Sequence, residues 1–263
     1  MKSLSLIENG LAIRIRSESL NRLSKKMNMF RYLIALICPL LASLSSCSDQ
    51  YNIMGNSSVE NYDGNTLYLK VLTAGNGEQR KDSSEVIHGR FGFEGVIDTV
   101  CMAQIYLGGT CLMPIVLETG QISINFSDAG QTIKGGTLNE RLYKFLGENA
   151  RLQSEVQSAN LTIARQIMDG CSIGASDKLE RHSEVLQQQI DRLWTSFIID
   201  NKDNVLGPTY FMQYTSQYFY PVITPQIEKI LKHAPKSFLC HPDVQAYIRD
   251  AEFNMRLMQG DFR

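Results

Sequence analysis

Cysteine and histidine have the most chemistry to offer in this chain, and their spacing limits what that chemistry can be. The cysteines are Cys38, Cys47, Cys101, Cys111, Cys171 and Cys240. No two stand three apart, so the Cys-x-x-Cys arrangement that holds one thiol as a reactive thiolate is missing. Cys101 and Cys111 flank Gly108-Gly109, a turn that pairs residue 106 with 111 and leaves Cys101 about five rungs away. That is beyond the Cα separation of about 4.4–6.8 Å that a disulfide needs. Cys171 and Cys240 meet only if the fold brings them together. The histidines, His88, His182, His233 and His241, form no His-x-x-x-His pair and lie beside no carboxylates at metal-ligand spacing. Gly75-Asn76-Gly77 continues as Glu-Gln-Arg, without the Lys-Ser/Thr of a phosphate loop, and there is no Gly-x-Ser-x-Gly. The expectation is therefore no catalytic residue, no cofactor and no metal site.

One cysteine stands apart. Tyr32 to Leu44 reads YLIALICPLLASL, uncharged, and follows Lys25, Lys26 and Arg31. Thirteen helical residues span about 20 Å against a hydrocarbon core of about 30 Å. The run is too short to span a bilayer and suits the apolar region of a secretory signal. It ends in Leu44-Ser45-Ser46-Cys47, which resembles the lipobox of bacterial lipoproteins. That resemblance implies that residues 1–47 are a lipoprotein signal segment and that Cys47 is acylated and becomes the new amino terminus. It also implies a lipid-anchored protein of a Gram-negative envelope, with Ser48 favouring the outer membrane. Asp49 is a faint hint of surface export, too weak to fix the leaflet. Each buried acyl CH₂ contributes about 0.8 kcal/mol, so two or more chains anchor stably where one does not. The competing readings are an ordinary cleaved signal and a core helix that ends in cysteine. Met27 or Met29 is the better translation start, since a signal needs none of the residues before it.

Behind this segment the composition is that of a folded protein. Residues 1–31 carry seven of the 26 Lys and Arg against Glu8 and Glu18, which leaves 19 basic and 25 acidic residues from Ser48 onward. A mildly acidic body without basic clusters argues against a nucleic-acid partner. The hydrophobic period changes once. From Tyr51 to about Gly136 it is two, in TLYLKVL (66–72), RFGFEGVI (90–97), CMAQIYL (101–107), CLMPIVLE (111–118) and QISINFS (121–127). His88-Gly89 reads as a tight hairpin, and Pro114 puts its strand at an edge or a bulge. Seven or eight short strands predict an antiparallel sandwich or open barrel, and the sandwich, over residues 48–136, is the expectation.

From Thr137 the period becomes helical. Thr137-Leu-Asn-Glu140 has the form of a capping box. Leu138, Leu142, Phe145, Leu152, Val156, Ile163 and Ile167 form one stripe, ended by Gly170. Leu179, Leu186, Ile190, Leu193 and Phe197 form another, over about 176–201, so the two helices should pair as an antiparallel hairpin. Thr224-Pro225 and His241-Pro242 should each open a later helix. The fold class is α+β, with a sandwich followed by an α-helical domain over 137–263.

The order of pieces in the β half carries a family resemblance. Tyr51-Asn-Ile-Met-Gly55, Leu67-Tyr-Leu69, Asp82-Ser-Ser-Glu-Val86, Gly89-Arg-Phe-Gly-Phe-Glu-Gly95, Pro114-Ile-Val-Leu-Glu118, Gly120 and Ile122-Ser-Ile124 follow one another as in a known domain. The arrangement resembles the N-terminal domain of unknown function that precedes the thioredoxin fold in TlpA-like thiol–disulfide oxidoreductases. In that family the chemistry belongs to a C-terminal thioredoxin domain with Cys-x-x-Cys. Only 45 residues follow Tyr218 here, too few for a thioredoxin fold, so the expectation is a chain without that catalytic module. The expected function is that of a membrane-anchored, non-catalytic binding module, with an accessory or degenerate member of a thiol-exchange system as the alternative. PTYFMQYTSQYFYP (208–221), with four tyrosines and two phenylalanines, suits either a protein or glycan partner or a helix packing its rings on the hairpin; packing is the expectation.

Overall fold

The computed structural model describes residues 50–73, 77–169 and 173–258, with side chains from 178 onward in the helix that begins at Ile173. Cys47, Gly75-Asn76, Gly170 and Cys171 lie outside the described residues. Eight strands come first: β1 (Gln50–Ser57), β2 (Thr66–Thr73), β3 (Gly77–Glu85), β4 (Arg90–Val96), β5 (Cys101–Leu107), β6 (Thr110–Leu117), β7 (Gly120–Ser127) and β8 (Gly130–Lys134). They form two four-stranded sheets, ordered β4-β1-β7-β8 and β3-β2-β5-β6.

The alternation of the sequence is the alternation of burial. Tyr51, Ile53, Phe91, Phe93, Ile122, Ile124 and Phe126 face inward from the first sheet. Leu67, Leu69, Ile105, Met113, Ile115 and Leu117 meet them from the second. Side chains on one strand face point the same way every second residue, so each strand presents one apolar and one polar side. Gly55 faces the core opposite Phe91. A Cβ there would fall 1.9 Å from the Phe91 ring, and the absence of one lets that ring lie stacked on Phe126 at 5.5 Å.

His88-Gly89 is the expected tight turn, with φ of 50° and 70° and reciprocal backbone hydrogen bonds between Ile87 and Arg90. It is not a hairpin between paired strands. β3 belongs to one sheet and β4 to the other, and a single bridge joins them. Alternation cannot distinguish a turn within a sheet from a corner between sheets, because both keep the same face inward. Pro114 is where its missing donor does no harm. It lies on β6, an edge strand, two pairs from a register shift at Ile105/Tyr106, and Tyr106 lies opposite Cys111.

Six helices follow among the described residues: α1 (Thr137–Met168), α2 (Ile173–Asp200), α3 (Leu206–Thr215), α4 (Pro225–His233), α5 (Lys236–Leu239) and α6 (Pro242–Met258). α1 and α2 pair antiparallel, since Trp194 Nε1 donates to Asn149 Oδ1 at 2.9 Å while Ser183 Oγ donates to Asn160 Oδ1 at 3.0 Å. Leu142, Phe145 and Leu152 on α1 and Leu186, Ile190 and Phe197 on α2 are buried, and Phe145 stacks on Phe197. Towards the hairpin's far end burial fades. Ile167 is 65% exposed and Met168 86%. The expected α4 cap is present, with Thr224 Oγ1 accepting from Ile227 N at 3.3 Å and Pro225 in the first turn. α6 likewise begins with Pro242, directly after His241.

The capping box expected at Thr137 does not form. The residue before α1 is Gly136, which makes no side-chain cap bond. The orphan amides of Leu138 and Asn139 are instead taken by the Glu118 carboxylate at 3.1 and 2.9 Å, and Glu140 reaches back to the Gly135 amide at 3.3 Å. A carboxylate at a helix start satisfies both the hydrogen-bonding and the dipole demand. Glu118, brought in by the turn between β6 and β7, therefore displaces the weaker threonine cap.

The helices cover the outer face of the second sheet. Met102 and Val116 are buried together with Leu142, Phe145, Phe211, Tyr214 and Phe238. α1 also closes the β6 edge. The buried Asn139 side chain accepts from Val116 N at 2.9 Å and donates to Val116 O at 2.8 Å, as a neighbouring strand would. Tyr143 donates to Pro114 O at 2.9 Å.

Candidate functional site

The aromatic run that begins at Pro208 is divided by the end of α3. Inside that helix Tyr210, Phe211 and Tyr214 are buried. Tyr210 and Tyr214 lie 6.0 and 5.8 Å from the Trp194 ring, so these rings pack on the hairpin as expected, and burial raises the pKa of both phenols. Past Thr215 the chain leaves the helix; Tyr218 stays half-buried against Tyr214, and the two rings after it turn outward. Phe219 is fully exposed at 101% and Tyr220 is 45% exposed, with ring centroids 6.3 Å apart, edge to face.

This exposed pair sits on a fastened loop. Tyr247 of α6 accepts from Val222 N at 3.2 Å and donates to Val222 O at 2.8 Å. Asn254 Nδ2 donates to Pro221 O at 3.0 Å. Thr224 then starts α4. The turns of α6 that carry Asn254 also carry Phe253 and Leu257, exposed by 57% and 42%. A ring held out by a backbone fixed on both sides loses little further freedom on meeting a partner, which is what a recognition surface requires.

A second cluster lies on the outer face of the second sheet. Tyr106 donates its hydroxyl proton to Glu78, and Lys70 Nζ lies 2.9 Å from the same carboxylate and 3.8 Å from the Tyr106 ring centroid. The same hydroxyl lies 2.7 Å from Gln104 Oε1 and, with one proton to give, donates to only one of these two acceptors at a time. The Tyr106 hydrogen bond, then Lys70, hold the Glu78 carboxyl below its ordinary pKa. The same bond and burial push the Tyr106 phenol up. Tyr106, Glu78 and Lys70 thus hold one another in place on this face.

The described thiols Cys101, Cys111 and Cys240 are free. Cys101 lies opposite Leu117 and Cys111 opposite Tyr106, five rungs apart as the turn predicted. Burial pushes both thiols up, the reverse of the shift that activates an exchange cysteine. His88 occupies its turn. His233 ends α4 with Nδ1 2.7 Å from Lys229 O, and His241 Nδ1 is 4.0 Å from Asp243 Oδ2. Among the described residues no three His, Cys, Asp or Glu side chains are grouped to hold a metal. An open groove of about 590 Å³ runs between α4, α5 and α6, lined by Leu231, Leu239, Gln245, Ile248, Arg249 and Glu252.

Against known proteins, residues 51–142 match the model of a domain of unknown function, DUF4369. The match runs from the start of β1 through all eight strands into the first turns of α1. No curated protein matches the chain.

Proposed function

We propose that this is a lipid-anchored protein of the bacterial envelope that acts by binding, with Cys47 as its acylated amino terminus and the outer membrane as its site. The anchor reading rests on Leu44-Ser45-Ser46-Cys47 behind an apolar run flanked by basic residues. Binding rather than catalysis is carried by one observation, the fully exposed Phe219 beside Tyr220 on a loop fastened at Pro221 and Val222. A solitary exposed ring is ordinary, but an exposed pair on a stapled loop is a built surface. A protein or glycan partner suits such rings. Kinship of the sandwich with the domain that precedes the thioredoxin fold in TlpA-like oxidoreductases belongs to this proposal. The raised Cys101 and Cys111 thiols weigh against a part in thiol exchange.

Intact mass measurement of the protein extracted from membranes tests the anchor. The expected species begins at Cys47 and carries diacylglycerol and a further acyl chain. Unmodified peptide running through residues 46 to 48 overturns it. For binding, the double substitution Phe219→Ala, Tyr220→Ala should leave thermal unfolding unchanged and abolish partner recovery from intact cells. Undiminished recovery removes the loop from the function.

A further inference from the structure

The described body begins at Gln50, three residues after Cys47. Three Cα steps reach at most about 11 Å when fully extended. The headgroup layer on each side of a bilayer is about 5–8 Å thick. A lipid on Cys47 therefore leaves the start of β1 within a few ångströms of the lipid surface.

Strand pairing shows what else lies at that end of the sandwich. Gln50 lies opposite Val96, the last residue of β4, and Tyr51 opposite Gly120, the first of β7. The link from β4 to β5 (residues 97–100) and the link from β6 to β7 (118–119) turn at this same end, because Cys101 lies opposite Leu117. Ile97 is buried and fixes the first link, while Val96 and Val100 on either side of it are 52% and 43% exposed. α1 also starts here, with its first amides on Glu118. It then climbs the β6 edge, from Asn139 on Val116 to Tyr143 on Pro114. Its 32 residues extend about 48 Å and lead to Met168 at the far end of the hairpin.

We propose that the strand-end face bearing Val96 and Val100 lies on the lipid surface, and that the helical hairpin is thereby held pointing away from it. This inference rests on the acylation of Cys47 proposed above. The contact is apolar in character. Neither link carries Lys or Arg, and Asp98 lies in the first, so a contact made through Val96 and Val100 has no basic group of its own links for anionic lipid to attract, and salt should not loosen it.

The test uses the full-length acylated chain with Cys101→Ala, Cys111→Ser, Cys171→Ser and Cys240→Ser, and one of Val96→Cys, Val100→Cys or Met168→Cys carrying an environment-sensitive fluorophore. All three labelling positions are exposed, which spares the core. The chain is placed in phosphatidylethanolamine–phosphatidylglycerol vesicles containing a headgroup-nitroxide lipid. Mass measurement on the same sample establishes acylation. The expected result is quenching at 96 and 100 at least about twofold stronger than at 168, unchanged by salt beyond the screening range. On the unsubstituted chain, amide exchange across 97–100 should slow on moving from detergent to vesicles. Equal quenching at all three positions in an acylated chain, or unchanged exchange, overturns the orientation and leaves the anchor standing. A chain that carries no acyl group overturns both.

Discussion

Asn139 shows how one side chain does the work of a missing strand. β6 is an edge, and an edge with free amides and carbonyls invites pairing with another chain. The Asn139 amide takes both backbone groups of Val116, Tyr143 takes the Pro114 carbonyl, and Pro114 has no amide to expose. Asn139→Ala leaves Val116 N and O buried without partners and removes a donor to Glu118. It should cost about 2–4 kcal/mol in urea unfolding, where an exposed Asn→Ala costs almost nothing. The Glu78 cluster gives a prediction of a different kind. Tyr106 is the larger of the two causes that hold the carboxyl low, so Glu78 keeps its charge to lower pH than a free glutamate and loses its partners as pH falls through that depressed value. Tyr106→Phe should raise its NMR titration midpoint towards the ordinary value of about 4.3. A midpoint that does not move would show that Lys70 alone sets it.

Among elements, the loop between α3 and α4 is the one whose rigidity bears on function. Tyr247→Phe keeps the ring against Phe211 but frees both backbone groups of Val222. It should lower stability by about 1–2 kcal/mol and speed hydrogen exchange at the Val222 amide, with Phe219 still exposed. At this scale the sequence was legible wherever the signal was local. Alternation placed the core faces of β2, β4 and β7, the two-residue turn fixed the register of Tyr106 against Cys111, and the apolar stripes gave the α1–α2 hairpin. It was silent wherever the partner was distant. Thr137 and Glu140 have the spacing of a capping box, yet Glu118, some twenty residues upstream, takes the Leu138 and Asn139 amides, and the Glu140 amide goes to the Gly136 carbonyl. The aromatic run was visible as composition. Which rings entered the core depended on α3 ending at Thr215, and no strong breaker marks that point before Pro221.

In the molecule as a whole, the two halves share apolar surface. Met102 and Val116 belong to strands of the sandwich but are buried among helical side chains. Removing the helices would expose them along with the β6 edge. Far-ultraviolet circular dichroism and Trp194 fluorescence, which report on both halves and on the helical core respectively, should therefore lose signal at the same urea concentration in one transition. Separate midpoints would mean that the sandwich stands alone. The membrane orientation inferred above adds a constraint of the same scale. It puts the β4–β5 link against lipid and the Met168 end of the hairpin at the greatest distance from it.

The parallel pairing of β1 with β7 bears on how the chain acquires this shape. β1 is an inner strand of its sheet, yet Tyr51 meets Gly120, 69 positions further on. In a chain made from its amino end, the earliest strand to emerge is among the last to be enclosed, because the residues that flank it on one side do not yet exist. Until β7 arrives, Tyr51, Ile53 and the edge they line stay open to the wrong neighbour. Synthesis stalled shortly before residue 120 should therefore yield a sticky, chaperone-dependent intermediate, and release beyond residue 134, the end of β8, should let the first sheet close.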